Sequence, residues 1–315
     1  MQVLSSRWFK LSVSLGLWGF LLYRTDLSLL RERLSSVHPA WVLVGFVGYL
    51  LSQVLSAYKW QLLARPLGFL QPFRAYAAYY FAGMYFNLLA PSTVAGDFGR
   101  SVLLAAGRER LPLAVQSVVA DRVSGLVMLL WVGAIGVLVA DPTVLPIQWR
   151  VGVCAAAVCA VVGWWLLPYL LERSFHPEHR LRRFVQGFVG PYVRQPRVLL
   201  KACGLSLLFH LLQFGLQLLL ARALGLEVSV WYLLVCIPLI SLLSGLPISF
   251  GGLGVRESGY VMFLAMAGIG QERALALGLL WSAIVLGANA TGGVALLLSP
   301  AARRPLTEAK RTSDE

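Results

Sequence analysis

Apolar and polar positions in this chain are sorted on the scale of whole helices. Long apolar runs cover Trp8–Tyr23, Trp41–Leu63, Phe73–Leu89, Leu113–Ala140, Val151–Leu171, Val198–Leu220, Trp231–Leu246 and Ala274–Leu298, with a shorter run from Gly259 to Gly268. Roughly 20 apolar residues are needed for a helix to cross about 30 Å of hydrocarbon, so the pattern predicts an all-α polytopic membrane protein with eight apolar segments. No polar stretch is long enough for a separate domain, which makes residues 1–300 one expected membrane domain and 301–315 a short polar tail. The first run is flanked by Arg7 and Lys10 and shows no small-residue cleavage site before Arg24, so it reads as a retained span or anchor.

Composition agrees with the pattern. Hydrophobic residues make up 58% and charged residues 13% of the 315, against about 45–50% and 25% in soluble chains, which excludes a soluble enzyme. The formal net charge of +13 reads as cytoplasmic loop bias and attraction to anionic lipid, and nucleic acid is not an expected partner. Cys154, Cys159, Cys203 and Cys236 all lie in apolar stretches without CxxC spacing, as buried inert thiols do.

An internal repeat refines the count. Leu62–Gly68 and Leu219–Gly225 share the letters LeuLeuAlaArg-x-LeuGly, and Pro39 and Pro196 stand at matching distances before them. Further on, Pro91–Arg100 and Pro247–Arg256 both fit Pro-x4-Gly-x3-Arg. These landmarks predict a duplicated half, with one copy near residues 38–171 and the other near 195–298. If Phe73–Leu89 and Trp231–Leu246 both span, the basic loop holding Arg173, Arg180, Arg182, Arg183, Arg194, Arg197 and Lys201 falls outside. If each instead dips in, breaks at its Pro/Gly motif and returns, that loop falls inside, as the positive-inside rule prefers. The expectation is six full spans plus two opposed re-entrant helical hairpins in an inverted repeat, with both termini cytoplasmic.

Broken backbone at membrane depth is tolerated only inside protein or beside a wet cavity, so the two motifs predict a cavity. In the first, Asn87, Ser92, Thr93 and Gly96 precede a helix carrying Asp97 and Arg100; in the second, Gly251, Gly252 and Gly254 precede one carrying Arg256 and Glu257. A helix N-terminus, small residues and an arginine one turn along suit a phosphate or carboxylate. The same residues also admit a plainer reading, in which Asp97 pairs with Arg100, Glu257 serves Arg256 or the helix dipole, and the glycines permit close packing. Asp121 and Arg122 form a third charged pair in the apolar run Leu113–Ala140, either bracing Asp97 and Arg100 or touching substrate. Lys59 is expected to snorkel from a span end, and Asn289 to hydrogen-bond between helices or to line the cavity.

Other chemistry is absent from the motifs. HisProGluHis at His176–His179 stands in a basic loop without further metal ligands, and Gly252–Glu257 lacks the last glycine of a dinucleotide fingerprint. No phosphate-binding loop, zinc-protease or nucleophile-elbow motif is present, so no cofactor and no catalytic residue is expected. Arg180–Arg197 alternates basic and apolar residues, as an interfacial helix or a plain positive-inside loop would.

With Asn87–Arg100, Asp121–Arg122 and Gly251–Glu257 in view, the chain resembles the transmembrane flippase domain of lysylphosphatidylglycerol synthetases from Trp8 to about Pro300. The resemblance implies an integral inner-membrane protein that translocates lipid, with those motif positions in its polar core. Such synthetases also carry a soluble aminoacyl-transferase domain after the membrane part, whereas this sequence stops at Glu315, so the synthetic activity is not carried over. The expected function is movement of an anionic phospholipid or lipid-linked intermediate between leaflets. Its rivals are a scaffold for a separate envelope-lipid synthase and an ion or small-solute carrier.

Overall fold

The computed structural model describes residues 7–89, 94–140, 146–174, 179–246 and 248–298. Among these residues the secondary structure is helical throughout. In chain order the helices are α1 (Arg7–Arg24), α2 (Leu27–Ser36), α3 (Pro39–Ala64), α4 (Phe73–Leu89), α5 (Val94–Ala105) and α6 (Leu111–Val139). They continue with α7 (Ile147–Ser174), α8 (Arg180–Val193), α9 (Pro196–Ala223), α10 (Val230–Gly245), α11 (Val255–Met266) and α12 (Gln271–Leu298).

The repeated letters in the sequence turn out to be helix boundaries. Pro39 and Pro196 each stand in the first turn of a helix, where a missing N–H costs nothing. Gly68 (φ +82°) and Gly225 (φ +66°) adopt the left-handed conformation that ends the two copies of LeuLeuAlaArg-x-LeuGly. The cap bonds match as well: Gly68 N–H donates to Arg65 O at 3.0 Å, and Gly225 N–H to Arg222 O at 2.9 Å. One sequence phrase therefore does one mechanical job twice.

Four helical stretches are long and apolar enough to cross a membrane: Pro39–Leu67, Leu111–Val139, Pro196–Ala223 and Gln271–Val294. Their polarity is inside out relative to a soluble bundle. On α3, Leu43, Val47, Leu51 and Val54 are exposed while Ser52, Gln53, Ser56 and Lys59 are buried. Lipid gives apolar side chains no reason to leave the surface, so polar bonds join large buried side chains such as Trp60, Phe263 and Leu275 in holding the interior. The Gln213 amide donates to Ser52 Oγ at 2.6 Å, joining α9 to α3, and Tyr49 meets Trp281 of α12 edge to face at 5.5 Å.

Helices distant in the chain pack on one another. The most extensive packing is α3 on α9, followed by α4 on α12, while α10 packs on α6 and each of α5 and α11 lies on its own predecessor. Both short pairs are antiparallel. Gly83 meets Arg100 and Asn87 meets Gly96 in the first; Ile240 meets Gly259 and Ser244 meets Gly252 in the second. The first helix of each pair, with 17 and 16 residues, stands at the lower limit for a span, and the second, with 12 in each case, falls well short of it.

Glycines set the closest approaches. At Gly292 of α12 an added Cβ would run into the Phe81 carbonyl of α4, and at Gly136 of α6 it would come within 2.9 Å of Val235 on α10. Gly292→Ala is therefore expected to lower unfolding stability by about 1–3 kcal/mol, seen as a reduced Tm in detergent. Gly215→Ala on α9, where nothing lies within 4 Å, serves as the control. Equal Tm values would show that α4 and α12 yield freely.

Candidate functional site

Five charged side chains from three helices form one network. Asp121 of α6 is deeply buried, with Lys59 Nζ of α3 at 3.0 Å from Oδ1 and Arg100 of α5 at 2.9 Å from Oδ2. Arg100 also reaches Asp97 Oδ1 at 3.0 Å, and Arg122 closes the chain with Nε 2.8 Å from Asp97 Oδ2. Lys59 donates further to Ser206 Oγ of α9 at 3.1 Å. Taking charges out of water costs several kcal/mol per ion, and only dense pairing of this kind offsets it.

The expected snorkelling of Lys59 is overturned: the residue is only 5% exposed. Ser206 and the Asp121 carboxylate close over it, and a buried anion at contact distance is a better partner than a distant interface. Arg100 is equally enclosed, its guanidinium stacked over the rings of Trp60 and Tyr80 at 4.9 and 5.0 Å. Those rings are themselves tethered, Trp60 Nε1 donating to Ser117 Oγ at 3.0 Å and Tyr80 OH to Ser56 Oγ at 2.9 Å.

The second motif uses different chemistry. Glu257 is fully buried; its Oε2 accepts the Gly254 amide at 2.6 Å and its Oε1 accepts the Ser282 hydroxyl. It caps α11, as the plainer sequence reading allowed, and does not contact Arg256 directly. Arg256 donates to Ser282 Oγ at 3.1 Å and, among the described residues, forms no ion pair. Gly251, Gly252 and Gly254 have φ of +60°, +81° and +82°, which excludes other L-residues from this loop without strain. Ser14 of α1 staples the loop from outside, accepting Phe250 N–H at 2.9 Å and donating to Leu253 O at 3.1 Å.

A cavity of about 300 Å³ lies between the two motifs. Its wall takes Asn87, Gly96, Asp97, Arg100 and Arg122 from the first half and Gly251, Arg256 and Asn289 from the second. A neighbouring cavity of about 240 Å³ shares Tyr49, Phe209, Gly251, Val285 and Arg256, so Arg256 faces both. Of the residues expected from sequence, Asp121, Gly252, Gly254 and Glu257 stand behind the wall, and Ser92 and Thr93 lie outside the described residues. The expectation of free helix amides meets a fuller arrangement. Gly96 N–H donates to Asn87 Oδ1 at 2.8 Å, and Gly254 N–H is taken by Glu257.

Several wall residues escaped the sequence reading. Gln53 carried a signal, as a polar position inside an apolar run, whereas Tyr49, Tyr80 and Phe209 look like any lipid-facing aromatic until the helices are packed. Among the described residues no group of three or more His, Cys, Asp or Glu side chains is placed to hold a metal. Among the described residues of the site, Asp97, Asp121 and Glu257 are all engaged, and Arg256 has no carboxylate partner.

Lys59 and Arg256 should therefore respond differently to removal. Lys59→Met leaves Asp121 buried with one partner fewer and is expected to cost about 3–5 kcal/mol, with part of that loss restored in Lys59→Met/Asp121→Asn. Arg256→Gln, which gives up one hydrogen bond from a guanidinium to a hydroxyl, should cost about 1.5–3 kcal/mol. Thermal unfolding in detergent measures both, and an equal loss for the two single variants would refute the network as drawn.

The family described as the lysylphosphatidylglycerol synthase TM region matches residues 7–293. No curated protein and no solved structure matches the chain. A match over nearly the whole length, on a chain whose charged motifs gather around one intramembrane cavity, makes the protein a member of the lysylphosphatidylglycerol synthase transmembrane-region family.

Proposed function

We propose that this protein is a flippase that moves a phosphate-bearing membrane lipid between leaflets, without making or breaking a covalent bond. The observation that carries the reading is Arg256: a cation with no carboxylate partner among the described residues, facing cavities built from both halves of the chain. Intramembrane charge is retained chiefly where it serves a pathway, and a guanidinium matches the oxygens of a phosphate diester. The family takes its name from the synthesis of a phosphoglyceride, which supports a lipid as cargo.

The architecture proposed for this task is an inverted repeat. The pairs α4–α5 and α10–α11 are read as re-entrant hairpins whose tips meet at the cavity. Helices α3, α6, α9 and α12, with α1 and α7, serve as the spans, and the termini face the cytoplasm of a bacterial-type inner membrane. The exchange of partners supports this, since α4 lies on α12 as α10 lies on α6, and α3 meets its own counterpart α9. Rocking of one half on the other about the α3–α9 contact would expose the cavity to each leaflet in turn.

Phosphatidylglycerol carrying a fluorescent acyl chain, reconstituted with the protein in vesicles and bleached from outside with dithionite, tests the reading. Wild-type protein is expected to let bleaching proceed well past the outer-leaflet half. Arg256→Gln is expected to slow the inner-leaflet phase by about tenfold or more, as loss of a charge-assisted contact predicts. Bleaching that stops at the outer-leaflet half with wild type would sink the proposal.

A further inference from the structure

The second of the two cavities, about 240 Å³, has a wall of different chemistry from the first. Asp97, Arg100 and Arg122 line the first cavity and not the second, and Arg256 is the one charged residue, among those described, that lines the second. The rest of that wall is apolar or neutral and polar, with Tyr49 from α3, His210 and Gln213 from α9 and Trp281 from α12.

Several of these polar groups have no partner in the protein. Trp281 is 6% exposed and its ring is set edge to face on Tyr49, yet its indole N–H makes no hydrogen bond among the described residues. The Tyr49 hydroxyl is likewise unpaired among them. Buried indole and phenol groups ordinarily find a partner, because water is lost without compensation otherwise. His210 donates Nε2–H to Gly125 O at 2.9 Å, which leaves Nδ1 of the neutral ring an acceptor without a partner among the described residues. Gln213 gives its amide N–H to Ser52 Oγ at 2.6 Å and keeps its carbonyl oxygen free among the same residues.

We infer that the second cavity is a hydroxyl-reading subsite: with a phosphate at Arg256, on the border of the two cavities, Trp281, Tyr49, His210 and Gln213 hydrogen-bond the hydroxyls of an uncharged glycerol-type or sugar-type unit esterified to it. The inference rests on the phosphate-binding reading of Arg256 and deepens it. A hydroxyl donates and accepts at once, as this mixed wall requires. A phosphate oxygen would face the bare acceptors of His210 and Gln213, so phosphate stays at Arg256. Other parts of a head group, charged ones included, are free to occupy the first cavity, where Asp97 stands in the wall. A site built to bond a hydroxyl discriminates against an analogue that lacks it, because its own polar groups are then left unpaired.

The test uses the full chain in detergent with dioctanoyl phosphatidylglycerol, phosphatidylinositol and phosphatidylpropanol, the affinities taken from ligand-induced thermal shifts. The propanol lipid keeps the phosphate diester and the three-carbon unit of the glycerol lipid, at the same net charge, without the hydroxyls. Wild type is expected to bind the better of the two hydroxylated lipids about tenfold or more tightly than the propanol lipid. The inositol lipid as the better one identifies a sugar-type unit, the glycerol lipid a glycerol-type one. Trp281→Phe keeps a ring against Tyr49 and removes the N–H. It should weaken the better lipid about threefold to tenfold and leave the propanol lipid within about twofold of wild type. Arg256→Gln should weaken all three about tenfold or more. Equal binding of hydroxylated and propanol lipids by wild type would overturn the inference, as would a folded Trp281→Phe protein that keeps the full preference or weakens all three lipids alike. Binding that needs Arg256 but shows no hydroxyl preference counts against the subsite alone, and binding indifferent to Arg256 counts against the phosphate reading on which it rests.

Discussion

The ion-pair network through Asp121 is the constraint on which the rest of this structure depends. Helix α5 has only 12 residues, too few to hold its place by its own hydrogen bonds, and nothing in lipid drives it inward. Arg100 pins it to α6 through Asp121, Lys59 ties the same carboxylate to α3, and Ser206 extends the connection to α9. A charge buried this way cannot leave its partners without paying for desolvation alone, so the position of the first hairpin is fixed wherever those three helices go.

The second hairpin occupies the corresponding place with almost none of this charge. Glu257 closes on its own helix start, the Tyr260 hydroxyl donates to Gln217 of α9, and the hydroxyl of Ser14 on α1 clasps the loop from outside. The two helix pairs are thus secured by different means, ion pairs in α4–α5 and, among the described residues, hydrogen bonds without an ion pair in α10–α11. The consequence is functional: the first half consumes its own cations, and the second leaves Arg256 facing open space. The site is asymmetric because, among the described residues, the carboxylate in its wall, Asp97, comes from the first motif.

Much of the scaffold was legible beforehand, for reasons that lie in particular residues. Pro39, Pro196, Gly68 and Gly225 announce helix ends by their own backbone chemistry, independent of what surrounds them, and the apolar runs between them are long because lipid demands length. The Pro-x4-Gly-x3-Arg motifs located the breaks and hence the neighbourhood of the cavity. Lys59 was misread because its distance from the end of an apolar run is a local property, whereas its burial depends on Asp121 and Ser206, far along the chain. Asp97 and Arg100 were correctly seen as neighbours, yet their pairing with Asp121 and Arg122 required α5 and α6 to be docked.

The sequence by itself determined that this is an all-helical chain built for lipid surroundings and where several of its helices start and stop, since each follows from local hydropathy and backbone preference. Only the tertiary structure decided which charges cancel. Coulombic pairing depends on distance across helices, and distance is set by glycine contacts such as Gly292 against Phe81 and Gly83 against Gly96, which no local pattern reports. That is why the role of Arg100 as frame, of Arg122 as partner of Asp97 and of Arg256 as the open cation emerges from packing, although all three letters look alike in the sequence.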